Sequence, residues 1–226
     1  MKYLKRFNES IEDIDSICRK YGIINYIINP DGTVDVDGDV NLSRKNLTRL
    51  PLKFRKVSGG FDCSVNQLTT LEGCPTEVSG HFYCYGNKLP TLEGGPKRVL
   101  AKVDVQTNQL TGGDFNCSYN LLTTLEGCPT EVGGDIYCFN NQLTIINWKD
   151  IYTLYDTRIV LGDNPIYEIY NIFPDFKMFK ASLEWNYFKE PNIIIRSRFV
   201  EACEVLSEET GESIVIPEKI EGYIFE

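Results

Sequence analysis

The chain has 226 residues, 42% of them hydrophobic, enough for a sizeable core in one large or two small domains. A formal net charge of −9 and a pI near 4.8 set up a field that repels phosphate backbones and argues against nucleic acid as a partner. The opening MKYLKRFNES lacks an apolar signal-peptide core, and no stretch approaches the length of an apolar membrane span. The expectation is therefore a soluble, cytoplasmic protein with no membrane partner and reduced cysteines.

In chain order, residues 10–21 come first. Ser10 stands as an N-cap, Ile11, Ile14, Cys18 and Tyr21 share one helical face, and Gly22 is the stop. INYIIN (24–29) and TVDVDGDV (33–40) flank Pro30-Asp31-Gly32 and predict a hairpin. Together 1–37 read as an N-terminal cap. Asp35, Asp37 and Asp39 alternate as if for calcium, but Asn46 stands where an EF-hand loop needs its final glutamate, so a solvent-facing strand edge is the better account.

From residue 38 the chain repeats itself. CSVNQLTTLEGCPTEV (63–78) and CSYNLLTTLEGCPTEV (117–132) differ at two positions, and the unit recurs at Cys63, Cys84, Val105, Cys117 and Cys138, in steps of 21, 21, 12 and 21. Each copy has the form φ-x-φ-x-x-N-x-φ: FDCSVNQL (61–68), FYCYGNKL (82–89), VDVQTNQL (103–110), FNCSYNLL (115–122) and IYCFNNQL (136–143). Degraded copies stand at 40–47, 159–166 and 181–188. The φ-x-φ alternation predicts a short strand with one buried face. The recurrent asparagine (66, 87, 108, 120, 141, 164, 186) suits an inward amide bridging neighbouring turns, and Gly-Cys-Pro or Gly-Gly-Pro turns the chain on the far side.

These residues resemble the leucine-rich repeat signature, and the proline-bearing return of about 21 residues is most similar to the short repeats of secreted effectors from Gram-negative pathogens. The Asn-Gln-Leu-Thr and Leu-Glu-Gly-Cys-Pro wording is similar to repeat proteins of tailed bacteriophages. The resemblance implies an α/β or mainly β solenoid with a parallel β-sheet on a concave face. It has about eight rungs over 38–190, a helical N-terminal cap and an α+β C-terminal cap over 191–226. The 12-residue step predicts a truncated rung near 109–114 that lacks its return. Residues 147–157 and 167–179 predict short helices, 197–210 an amphipathic helix, and 214–225 strand-like material.

Candidate chemistry is sparse. Cys63, Cys84, Cys117 and Cys138 occupy an inward position where Val105 and Leu161 stand in sister copies. A small buried hydrophobe tolerates that exchange and a metal thiolate does not, and no pair has C-x₂-C spacing, so no metal and no cofactor are expected. Effector ligases with such repeats carry their catalytic cysteine in a large helical domain after them. With 36 residues beyond Glu190 that activity is not carried over. His81, the single histidine, has no motif around it, so the sequence predicts no enzyme.

What remains is a surface. Outward positions of successive strands gather Asp62, Tyr83, Tyr85, Asp104, Tyr119, Tyr137, Phe139 and Trp185, residue types suited to interface hot spots. The expectation is a monomeric, non-enzymatic module that binds a protein on its concave face. The phage resemblance implies a bacterial host protein, such as one of host defence, met in the host cytoplasm. The rival expectation is a structural or adhesive component of a virion or fibre.

Overall fold

In the computed structural model, which describes residues 13–103, 110–145, 152–153, 158–174, 176–185, 187–190 and 192–226, the repeats coil into a two-sided parallel β-solenoid with a spacing of about 21 residues. Strands Val40–Asn41, Phe61–Asp62, Phe82–Tyr83, Phe115–Asn116, Ile136–Tyr137 and Ile159–Val160 lie side by side as a front sheet. Every pairing is parallel and sets the first apolar residue of one strand against that of the next. The Thr-Glu-Val return is itself a strand. Phe54–Val57, Glu77–Val78, Arg98–Val99, Glu131–Val132 and Tyr152–Thr153 form a back sheet, extended by Val34–Val36 and edged antiparallel by Tyr26–Ile28.

The core between the sheets is built in columns. Phe61, Phe82 and Phe115 stack with centroids 5.6 and 5.7 Å apart, each neighbouring pair adding about 1 kcal/mol beyond the area it buries. Beside them runs a column of fully buried thiols, Cys63, Cys84, Cys117 and Cys138, ended by Leu42 and Leu161. Leu68, Leu89, Leu122 and Leu143 close the layer, and Val57, Val78, Val99 and Val132 supply the back wall.

Backbone bonds join neighbouring turns beyond the two-residue strands, as from Cys63, Val65 and Gln67 N–H to Tyr83, Tyr85 and Leu47, and the asparagines serve groups that this pairing leaves over. Asn120 Nδ2 donates to the carbonyl of Cys84 one turn back (3.1 Å) and to Cys117 in its own turn (3.0 Å), while Oδ1 accepts from Leu89 N–H (3.1 Å). Asn66, Asn87, Asn141 and Asn164 repeat the arrangement, reaching Leu42, Cys63, Cys117 and Cys138 respectively. The amide thus joins two turns and satisfies backbone groups that water cannot reach. The residue before each ladder asparagine has positive φ: Val65, Gly86, Tyr119, Asn140 and Asp163 lie between 52° and 66°, as does Arg44, which precedes Lys45 at the same place in the first turn. This left-handed step turns the chain inward to aim the amide, at a cost of about 1–2 kcal/mol where the residue is Val65 or Tyr119.

Where front and back sheets meet, successive turns almost touch. A Cβ on Gly80 would lie 2.7 Å from the backbone of Gly59, so only glycine lets the corner close.

Three expectations are corrected. No rung lies between the turns on either side of the segment expected as one at 103–110: Phe82–Tyr83 pairs directly with Phe115–Asn116, and Val99 with Val132. Lys102–Val103 pairs antiparallel with Leu110–Thr111 in a hairpin that leaves the solenoid between Ala101 and Gly113. Front strands begin 21, 21, 33, 21 and 23 residues apart, so the irregular step is a twelve-residue insertion in an intact turn and not a turn that lost its return. Val105 and Asn108 lie outside the described residues. Second, 181–188 adds no front strand: helix Phe176–Ser182 runs into a 3-10 turn, Leu183–Trp185, because Ala181 and the residues before it continue a helical period. Third, within the expected 147–157 helix the described pair Tyr152–Thr153 is a strand of the back sheet.

At the ends, a helix covers 13–21, with Ser10 and Ile11 outside the described residues, and Tyr26–Ile28 pairs with Val34–Val36 as a hairpin. Beyond the solenoid lie helices Tyr167–Tyr170, Phe176–Ser182 and Arg196–Thr210. A small sheet of Phe188–Glu190, Ile193–Ile194 and Ile224–Phe225 joins them, and Tyr187, Phe179 and Phe199 are fully buried there.

Two outcomes test the ladder and the insertion. Asn120→Ala should cost about 3 kcal/mol in urea unfolding, because Leu89 N–H loses its partner in the dry interior and the Cys84 carbonyl keeps only the bond from Asn87, whereas exposed Gln67→Ala should stay within about 0.5 kcal/mol. Excising 101–112 should leave a cooperatively folding protein within about 1 kcal/mol of the wild type, because it restores the regular spacing of the neighbouring turns. A misfolded excision product would mean that the segment contributes a core layer.

Candidate binding face

The outer face of the front sheet is built from the positions that alternate with the core residues. One column reads Asn41, Asp62, Tyr83, Asn116, Tyr137 and Val160, and the next reads Ser43, Ser64, Tyr85, Ser118, Phe139 and Gly162. In three turns the first column braces the second: Asn41, Asp62 and Asn116 each accept from the N–H two residues on, at Ser43, Ser64 and Ser118 (2.9–3.1 Å). Turns with tyrosine in the first column carry an aromatic in the second. Large side chains therefore sit next to small ones, and Ser64 and Ser118 are buried although they belong to the outer face.

Of the residues singled out in the sequence, Asp62, Tyr83, Tyr85, Tyr119, Tyr137 and Phe139 all lie on this face. Tyr83 and Tyr85 meet edge-on at 6.3 Å, and Tyr119 meets Phe139 edge-on at 5.2 Å. Tyr119, swung outward by its left-handed backbone, is 54% exposed. Asp104 lies outside the described residues. Trp185 is not on the face: it stands half-buried on the 3-10 turn, packed against the core.

A further column was not anticipated, at the residue preceding each front strand: Asp39, Gly60, His81, Asp114, Asp135 and Arg158. His81 stacks on Tyr83 (centroids 5.3 Å) and its Nδ1 lies 3.1 Å from Asp114 Oδ2, without hydrogen-bond alignment. Asp114 Oδ1 accepts from Asp135 N–H (2.8 Å), and Asp135 in turn takes Arg158 through both backbone N–H (3.0 Å) and guanidinium (2.8 Å). Burial works against the Asp135 carboxylate, yet the Arg158 bonds prevail and hold it below the ordinary range. Burial, then the charges around Asp114, push the Tyr83 phenol up. Burial and Asp135 do the same to Tyr137, so both stay neutral. The signal was legible in the sequence, since this position always precedes φ-x-φ.

The insertion hairpin overhangs this corner. Lys102, Thr111 and Gly112 face Asp39, Asp62, His81 and Tyr83 across a groove of about 380 Å³.

The opposite face differs in kind. On the back sheet Lys56, Glu77, Arg98 and Glu131 form one cross-turn ladder of ion pairs at 3.7, 3.0 and 2.8 Å, and Arg55 pairs with Asp35. These charges are matched within the molecule, and their exposure makes each pair worth less than about 1 kcal/mol.

No protein-family model matches the chain, and neither a curated protein nor a solved structure does. No described helix is long and apolar enough to cross a membrane.

The thiols carry one prediction. Burial pushes Cys138 up to about 12, and raises Cys74, Cys84 and Cys117 as well. A disulfide reagent at pH 8 should therefore leave the native core thiols intact over minutes, while in denaturant all eight cysteines react within seconds. Prompt reaction of the folded protein would contradict the buried column.

Proposed function

We propose that the chain is a non-enzymatic binding module of leucine-rich-repeat type, and that the outer face of the front sheet receives a protein partner. One observation carries this reading: consecutive turns of one sheet present two edge-on aromatic pairs, Tyr83 with Tyr85 and Tyr119 with Phe139, and Tyr137 lies on the same face. Two-χ aromatic side chains lose little entropy on binding and bury large areas, which is why they dominate interface hot spots. The back face supports the same choice by contrast, since its charges already have partners. A host protein is the partner implied by the likeness of the repeats to phage-encoded ones.

The test is capture from bacterial lysate by wild type and by a Tyr83→Ser, Tyr85→Ser, Tyr137→Ser, Phe139→Ser variant whose fold is checked by circular dichroism. A partner held by the wild type should be lost by the folded variant, corresponding to at least about 2 kcal/mol of binding energy. Retention by the variant would overturn the assignment of the face. Light scattering separates the virion or fibre alternative: the binding module is monomeric, and a stable trimer would favour the fibre.

A further inference from the structure

The groove at the corner of the face, beneath the insertion hairpin, has a chemistry of its own. It is about 380 Å³, and Tyr83, with His81 stacked on one face of its ring, gives it an aromatic wall. Two carboxylates line it, and each is anchored by backbone. Asp39 Oδ1 accepts from Gly60 N–H (2.7 Å), and Asp62 Oδ1 from Ser64 N–H (2.9 Å). Neither carboxylate has a cationic partner within ion-pair distance among the described residues, and Lys102 is the one lysine or arginine lining the groove. The back-sheet acids Asp35, Glu77 and Glu131 are each matched to an arginine. Carboxylates fixed in place, unmatched and set beside an electron-rich ring favour a cation, and a planar one best, because it can face a carboxylate and lie along a ring at once.

We infer that this groove takes an arginine side chain of the protein partner, its guanidinium paired with Asp62 and lying against Tyr83. The inference rests on the proposed binding role and adds to it the chemistry of the residue that anchors the partner. The insertion hairpin, present in one turn, sets Lys102, Thr111 and Gly112 along the far side of this open groove.

The experiment is an NMR titration of the full chain with N-acetyl-arginine N-methylamide, alongside the citrulline counterpart, which keeps the shape and removes the charge. Saturable shifts confined to the amides of Gly60, Asp62, Gly80, His81 and Tyr83 are expected, and citrulline should bind about tenfold more weakly. Asp62→Asn keeps an oxygen for Ser64 N–H, so the fold stands while arginine affinity falls about tenfold. Tyr83→Leu should lower it as well. Glu208→Gln with Glu209→Gln removes two charges from the distant helix Arg196–Thr210 and should change nothing. Shifts spread over the surface, equal binding of citrulline, or equal losses in the Asp62 and Glu208/Glu209 variants would overturn the inference. Because the titration needs no partner, its failure beside a successful capture experiment would sink the arginine groove and leave the binding face standing.

Discussion

Stacking of the turns depends on one side-chain amide per turn. Backbone pairing between turns runs past the two-residue strands, yet it leaves the N–H groups of Leu68, Leu89, Leu122 and Leu143 unserved, and the interior is too dry for water to serve instead. Asparagine has donors and an acceptor on one planar group, so it can reach back to the preceding turn and forward within its own. Shorter serine cannot span the gap and glutamine is too flexible to be held. The left-handed residue before each asparagine, the small thiol beside it and the leucine after it follow from the need to place that amide.

The same constraint explains which features the sequence displayed and which it concealed. The alternation in FDCSVNQL and FNCSYNLL exposed the front strands, the inward column and the asparagine ladder, because each is repeated at fixed spacing. The back strands were missed, since Glu77-Val78 and Glu131-Val132 are two residues long and sit in a segment dominated by turn residues. VDVQTNQL reads like every other unit, yet Val103 and Leu110 pair with each other across a hairpin. Local pattern cannot separate a rung from an insertion when both alternate. The distance from Val99 to Phe115, against that from Val78 to Phe82, carried the distinction. In the same way Trp185 looked like a face residue because an eight-residue window ignores the helix running into it from Phe176.

For the face, alternation placed Asp62, Tyr83, Tyr85, Tyr119, Tyr137 and Phe139 together, since every outward position of a regular sheet joins its neighbours. The contact of His81 with Asp114 was hidden, because the two lie in adjacent turns only once the insertion is looped out. The insertion also borders a polar groove beside the aromatic residues of the face. In the proposed binding role, an aromatic surface would supply area and a recess with fixed carboxylates would supply orientation.

Native-state hydrogen exchange tests the dependence on the ladder most directly. The amides of Leu68, Leu89, Leu122 and Leu143 donate to asparagine side chains, not to another strand's backbone. If the ladder holds the turns together, these four exchange only through global unfolding, with protection equal to that of Phe82 and Phe115 in the front sheet. Exchange of the four at much lower free energy, while the sheet amides stay protected, would show that the turns are held by core packing and strand pairing without the asparagines.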